Sequence, residues 1–228
     1  VGTVVHTGDF KIESDPCEGQ RFDRDRLEQV ARDGVRLLLS DSTGADVDGR
    51  ARIERDAETA LEAWILRSPH RVVVATFSSN AFRLRAVLRI ARECGRKVCL
   101  LGMSVQKHTE TARALGLLPS LDDLLIAPDE VDGLPRDQAL ILAGGTQGEP
   151  ASALARLGRD EHAHVHLEEG DTVILSSRAI PGNEHGGFDH VNQIERRGLE
   201  VITRARHPEV HASGHGNPED QRAMIRLL

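Results

Sequence analysis

The sequence predicts an α/β fold built on a parallel sheet. Short runs of β-branched residues or Leu alternate along the chain with segments of helical periodicity, which is the pattern of strands joined by crossover helices. Most of the apolar runs lack alternating polar residues, as expected for strands that are buried on both faces. The 228 residues suffice for one large α/β domain, or for one domain and part of another.

The apolar runs predict seven strands, at residues 1–5, 35–39, 71–76, 97–101, 139–143, 172–176 and 199–203. Apolar stripes at helical spacing predict three helices, at residues 53–65, 81–91 and 105–115. The first helix ends at Ser68-Pro69, the second at Gly95 and the third at Gly116. Residues 220–228 read as a further helix, and residues 117–135 are the least regular stretch.

Composition excludes several classes of function. The chain carries 29 basic and 36 acidic residues, a net charge of −7, which argues against a general electrostatic coat for nucleic acid. It has no Tyr, one Trp and five Phe, too few aromatic residues for extensive base stacking. Any nucleic acid would therefore be held locally, through its phosphates. No apolar run approaches the ~20 residues of a membrane-spanning helix, so we expect no membrane partner.

Three cysteines, Cys17, Cys94 and Cys99, cannot form a disulfide framework, and no signal peptide is visible. We therefore expect reduced thiols and a cytoplasmic location. Because the chain opens on a strand without an initiator Met and closes on an uncapped helix, we interpret it as a fragment of a longer protein.

Four loops at the carboxyl ends of the strands are candidates for ligand binding. Residues 76–80 (TFSSN) offer hydroxyls and free helix N–H groups to a phosphate, or form an ordinary Ser/Asn helix cap. Residues 144–150 (GGTQGEP) and 180–184 (IPGNE) either allow close approach of a ligand or form plain turns, and Pro150 suits the first turn of a helix.

The fourth loop, residues 211–220, is the most informative. Asn217 and Pro218 read as the N-cap and first residue of a helix, which places Ser213, Gly214 and His215 at a natural anion site. Asp9 and Asp41 each follow a predicted strand, where an Asp serves either as a metal ligand or in a turn. The alternating histidines of residues 162–166 could face one side of a strand as a metal site, although a surface location is favoured.

Read in order, these motifs resemble bacterial ribonuclease J, a family with a metallo-β-lactamase fold and an inserted β-CASP domain. The resemblance rests on HTGDFK (6–11), LLLSDSTGAD (37–46), ATFSSN (75–80), GGTQGEP (144–150), GDTVILSS (170–177), IPGNE (180–184) and SGHG (213–216). It implies a parallel-sheet β-CASP domain at residues 48–206. Residues 1–47 and 207–228 would be flanking pieces of the αββα metallo-β-lactamase domain.

The resemblance also implies an activity and a site. Family members are RNA-processing nucleases that act as 5′–3′ exonucleases on monophosphorylated RNA, cut internally and use two zinc ions, with manganese as the alternative metal. The family tends to self-associate, which suggests a homodimer. Asp9 resembles the Asp that bridges both metals, and Asp41 and His215 resemble two β-CASP catalytic residues; we expect the three to share one cleft. The residues that resemble the RNA-gripping loops are Phe77, Ser78, Ser79, His211, Ala212, Ser213, Gly214 and His215.

Two of the departures from the family bear on the site. The HxHxDH cluster that supplies most zinc ligands is absent, so we expect residues 1–228 alone to be inactive and to hold little or no zinc. Gly44 stands where the family usually has Asn. Two other functions remain open: a non-catalytic RNA-binding or scaffolding module of the same fold, and a related β-CASP metallohydrolase that acts on DNA or a small ester.

Overall fold

The computed structural model describes residues 2–13, 16, 21–49, 51–178 and 184–228, with the side chains of residues 184–188 set aside. Cys17 and all but the last residue of the predicted loop at 180–184 lie outside this part of the chain. The described residues form two compact units, residues 1–55 with 212–228 (unit 1) and residues 56–211 (unit 2). The resemblance implies an inserted domain at residues 48–206, whereas unit 2 spans residues 56–211. None of the helices in the described ranges has the length and apolarity needed to cross a membrane.

The elements follow the predicted alternation of strands and helices. In chain order they are β1 (Thr3–His6), α1 (Arg24–Arg32), β2 (Val35–Leu39), α2 (Glu54–Arg67), β3 (Val72–Thr76), α3 (Ala81–Glu93), β4 (Lys97–Leu101), α4 (Met103–Ala114), β5 (Leu125–Ile126), β6 (Ala139–Ala143), α5 (Ala153–Arg159), β7 (Thr172–Ser176), α6 (Glu184–Arg196), β8 (Glu200–Thr203) and α7 (Pro218–Leu227). Short 3₁₀ turns lie at Pro128–Gly133, Arg136–Gln138 and Pro208–Val210.

Unit 2 contains a six-stranded parallel sheet in the order β5-β4-β6-β3-β7-β8, which confirms the predicted fold class. Strands β3 and β6 lie at its centre and are buried along their whole length. One face of the sheet packs against apolar side chains of α2, α3 and α4, and the other against α5 and α6. The predicted stripe of α2 is buried at Ala57, Ala60, Leu61, Trp64 and Ile65.

Unit 1 contains the parallel pair β1 and β2 with helices α1 and α7. The sequence predicts that most strands are buried on both faces. This prediction is wrong for β1 and β2, because Val4, Leu37 and Leu39 are 55%, 48% and 46% exposed. Register pairs Val4 with Leu37 and His6 with Leu39, so these side chains share one open face.

Three further differences have local causes. Strand β5, which the apolar pattern misses, is only two residues long. Helix α1 was not predicted, although Leu27, Val30 and Ala31 form a short apolar stripe that is half-buried in the structure. Asp23 caps this helix by accepting the amide N–H of Arg26. Helix α5 begins at Ala153 rather than at Pro150, since Ser152 provides the N-cap by accepting from the amide of Ala155.

Candidate active site

Asp9 and Asp41 come from turns that follow adjacent parallel strands. The amide of Thr7 extends the β1–β2 ladder by donating to the carbonyl of Leu39 at 3.0 Å. The Thr7 hydroxyl then accepts the Asp41 amide at 3.0 Å and donates to the carbonyl of Gly8 at 2.6 Å. One side chain thus links both carboxylate-bearing turns. Gly8 has φ +59°, a left-handed conformation that glycine adopts without steric cost.

His215 lies in a turn that contacts two other segments, at Phe10 and at Gly44. Within the turn, the amide of His215 donates to Ser213 Oγ at 3.1 Å. The amide of Gly216 donates to the carbonyl of Phe10 at 2.7 Å. The backbone of Gly44 packs directly against this turn: a Cβ at position 44 would lie 2.4 Å from the carbonyl oxygen of Gly216. Any side chain at position 44 would therefore require this turn to shift.

The predicted cleft residues come together. One ligand atom from each of Asp9, Asp41 and His215 lies within 4.8 Å of the others, and no other such group of three metal-ligating side chains occurs within the described ranges. His215 Nδ1 is 2.8 Å from Asp41 Oδ2, although 174 positions separate the two residues. The side chain of Asp41 is 5% exposed and that of His215 is 30% exposed, whereas Asp9 is exposed.

The surroundings of Asp41 favour its ionised form. Burial acts to raise the pKa of Asp41, but the backbone N–H of Thr43, the Thr43 hydroxyl and the His215 imidazole outweigh it and lower the pKa to about 2. The Thr43 amide donates to Asp41 Oδ1 at 2.9 Å. An ionised carboxylate only accepts hydrogen bonds, so in the contact between Asp41 and His215 the proton belongs to His215 Nδ1. In the neutral ring, Nδ1 is therefore the protonated nitrogen and Nε2 is the acceptor.

The predicted phosphate loop after β3 is a tight turn into α3. The Asn80 side chain accepts the amide of Arg83 at 3.0 Å, so the capping interpretation of this loop is correct for Asn80. Capping does not exclude a binding role for the two preceding serines, of which Ser79 is exposed and Ser78 is half-buried. Both lie at the start of α3, where N–H groups and the helix dipole favour an anion.

The remaining predicted substrate residues differ in accessibility. His211 and Ala212 are buried, so a substrate contact by either would involve main-chain atoms. The His211 ring lies 6.3 Å from that of Phe77, and its Nδ1 is 3.3 Å from the carbonyl of Ser176. Gly214 is exposed and Ser213 is half-buried.

The alternating histidines do not form a strand. His166 contacts Asp160 at 3.1 Å, and the rings of His162 and His164 are 6.5 Å apart. The structure therefore favours the surface interpretation of residues 162–166.

Sequence reasoning missed the residues that hold the site together. Lys11 belongs with them, since its ammonium group donates to the carbonyl of Ser213 at 3.0 Å. Thr7 and Lys11 lie inside the HTGDFK motif and Thr43 inside SDST, so the motifs contained them without indicating their roles. Arg83, buried in α3, donates to the carbonyl and hydroxyl oxygens of Ser176. No sequence signal distinguishes Arg83 from the many exposed arginines of the chain.

Comparison with known proteins supports the motif reading. Residues 69–194 match the family model described as ribonuclease J, beta-CASP domain. Over the whole chain, the protein is similar to ribonuclease J of Sinorhizobium meliloti (41% identity), ribonuclease J of Thermus thermophilus (40%) and ribonuclease J2 of Bacillus subtilis (36%). The chain spans 40%, 39% and 41% of the lengths of these relatives. The chain belongs to the ribonuclease J family, and residues 69–194 match its β-CASP domain.

Proposed function

We propose that this chain is part of a metal-dependent ribonuclease that hydrolyses the phosphodiester bonds of RNA, as a 5′–3′ exonuclease and as an endonuclease. The observation that carries the proposal is the convergence of Asp9, Asp41 and His215 within 4.8 Å. Relatives that match the full chain are named ribonuclease J or J2, which supports RNA as the substrate class.

The donor set fits a transition metal such as zinc, with manganese as the alternative. Two carboxylates and one imidazole supply oxygen and nitrogen ligands, and Asp9 is the carboxylate that is open to solvent. A two-zinc centre would lower the pKa of a bound water and neutralise phosphate charge. We propose that Asp9 would be one of its ligands. Three side chains are too few for two closed zinc sites, so the other ligands would come from the rest of the whole protein.

Asp41 and His215 then have separate tasks. The ionised Asp41 orients the imidazole through Nδ1. In its imidazolium form the ring also carries a proton on Nε2, which can be donated to a phosphate oxygen as negative charge develops or given to the leaving oxygen. This arrangement requires no contact with a base, which agrees with an RNA nuclease that reads the sugar–phosphate chain.

We propose that two separate sets of residues bind RNA phosphates, Ser78 and Ser79 in unit 2 and Ser213 and Gly214 in unit 1. Hydroxyls and backbone N–H groups at helix N-termini hold a phosphate without the basic surface that a net charge of −7 excludes. A terminal 5′-monophosphate carries more negative charge than an internal phosphodiester, so the same donors would favour RNA with that end.

A cleavage panel tests the proposed function. The whole protein with zinc or manganese is incubated with 5′-monophosphorylated RNA, 5′-triphosphorylated RNA and DNA of the same sequence. Cleavage that is fastest on monophosphorylated RNA, and abolished by Asp9→Ala, is the expected result. Binding of RNA without cleavage would favour the scaffolding function, and faster cleavage of DNA would favour the related metallohydrolase. Residues 1–228 alone are expected to be inactive and nearly free of zinc; metal-dependent RNA cleavage by that piece would contradict this expectation.

The proposed phosphate contacts are tested by Ser79→Ala in the whole protein. Loss of one hydroxyl donor is expected to raise the KM for monophosphorylated RNA by about five- to tenfold, with kcat nearly unchanged. Ser120→Ala removes another exposed hydroxyl of unit 2 and serves as the control. An unchanged binding constant in Ser79→Ala would rule out this contact.

A further inference from the structure

Lys11 is the lysine of the HTGDFK motif, in a chain that has three lysines and twenty-six arginines. Its side chain lies in unit 1 and is only 11% exposed. Lysine is almost never buried to this extent unless its charge and its donors are satisfied. The contacts of Lys11 therefore indicate what this ammonium group does.

All three N–H donors of the Lys11 ammonium have partners. Nζ donates to the carbonyl oxygen of Arg52 at 3.0 Å and to that of Ser213 at 3.0 Å, and it forms an ion pair with the Glu13 carboxylate. The three acceptors converge on one nitrogen atom. An ammonium can direct three donors from a single point, whereas the planar guanidinium of an arginine cannot.

The Ser213 carbonyl belongs to the turn that carries His215. Lys11 holds this turn at Ser213, and the adjacent Phe10 carbonyl holds it at Gly216 through a 2.7 Å hydrogen bond. His215 lies between these two anchors, with its Nδ1 on Asp41. The segment Phe10–Lys11 therefore determines where the imidazole meets the carboxylate, across 202 positions of sequence between Lys11 and Ser213.

We propose that Lys11 is a positioning residue, which orients the imidazole of His215 toward Asp41 through the three donors of one ammonium group. The role of this imidazole in catalysis rests on the proposed function, but its orientation can be measured independently. Without the ammonium, the Ser213 carbonyl loses this donor, and the turn keeps its hydrogen bond at Gly216 but loses the anchor on the other side of His215. The hydrogen bond from His215 Nδ1 to Asp41 then opens to water more often.

Side-chain and amide NMR of uniformly ¹⁵N-labelled protein tests this proposal. The Nδ1–H signal of His215, assigned by its absence in His215→Gln, is compared between the unaltered chain and Lys11→Met. We expect the signal to disappear through faster exchange in Lys11→Met, and the Gly216 amide to exchange at least about tenfold faster. Lys97→Met is the matched control, because it removes an ammonium that donates to the carbonyl of Asp123 in unit 2. The His215 signal should persist in this control.

An unchanged His215 signal in folded Lys11→Met would overturn the proposal, as would its loss in Lys97→Met. If Lys11→Met does not fold, Lys11→Arg replaces it. Lys11→Arg keeps the positive charge beside Glu13 but cannot direct three donors from one atom. A shifted or absent Nδ1–H signal of His215 is therefore expected, and an unchanged signal would again contradict the proposal. Failure of the whole protein to cleave RNA would refute the proposed function and leave this NMR result standing.

Discussion

Asp41 shows how a few local contacts can determine the charge of one buried group. Its carboxylate is nearly enclosed, which by itself favours the neutral acid, yet Thr43 and His215 supply enough hydrogen-bond donors to keep it ionised. Asp41, Thr43 and His215 therefore act together as one hydrogen-bonded cluster. The properties of this cluster give two predictions.

The stability of unit 1 should depend on pH through Asp41. Its pKa in the folded chain, about 2, lies below the ordinary value of 3.8, so the unfolded chain binds more protons between these values. The contribution of Asp41 is thus fully present above about pH 4 to 5 and is lost as the pH falls toward 2. Hydrogen exchange of the Gly216 amide between pH 2.5 and 6 measures this loss, after correction for intrinsic exchange. Asp41→Asn should be less stable at pH 6 and show a smaller change with pH; an equal change would exclude Asp41 as the cause.

His215→Ala should reduce turnover of the whole protein by about 10²- to 10⁴-fold, the range for loss of a general acid or base. The imidazole is 30% exposed and lies in a turn rather than in a core, so the loss of stability should stay within about 1 kcal/mol. Single-turnover RNA cleavage measures the first effect and urea denaturation measures the second. Unfolding of His215→Ala would instead assign His215 a structural role.

At the scale of elements, uniform apolar runs and helical stripes were reliable guides. Strands β2, β4, β6 and β7 have the predicted bounds, because each is a short apolar run between polar turns. Helix α1 was missed because its apolar stripe has only three residues, Leu27, Val30 and Ala31, and β5 because two residues carry no period. Short elements with few apolar positions are therefore the ones that sequence patterns fail to predict.

Arg83 connects two elements of unit 2, and its removal should be costly. The guanidinium, only 1% exposed, extends from α3 to Ser176 at the end of β7, where Ser176 also contacts His211 and Val210. Arg83→Met should destabilise unit 2 by about 2–4 kcal/mol, because buried acceptors lose a charged donor. Urea denaturation followed by the fluorescence of Trp64 measures this effect.

The control for Arg83→Met is Arg92→Met, which removes a surface ion pair with Asp123 and should cost less than about 1 kcal/mol. Equal losses in the two variants would show that burial of Arg83 has no special role.

At the scale of the whole molecule, the apolar core is unevenly divided. Both core clusters lie entirely in unit 2, whereas the buried apolar side chains of unit 1 within the described ranges are Phe10, Ala212 and Met224. Because burial of apolar surface supplies most of the free energy of folding, unit 1 has much less to stabilise it. A two-stranded sheet is also marginal by itself.

We therefore expect the chain of residues 1–228 to unfold in two steps, with unit 1 first. Trp64, the single tryptophan, lies in unit 2 and reports only the second step. Hydrogen exchange of the Thr7 and Gly216 amides should reach full exposure at a lower urea concentration than the loss of Trp64 fluorescence. Coincident transitions would show that the two units unfold cooperatively.

The sequence by itself determined the alternation of elements and the parallel α/β class, and it indicated the candidate site residues. Strand and helix patterns arise from neighbouring positions, and the HTGDFK, SDST and SGHG motifs identified Asp9, Asp41 and His215. Tertiary structure alone decided how these residues meet, since 174 positions separate Asp41 from His215 and 202 separate Lys11 from Ser213. Thr7, Thr43 and Lys11 act through hydrogen bonds whose partners are set by the folded backbone. Such directional contacts between distant segments leave no periodic trace in a sequence.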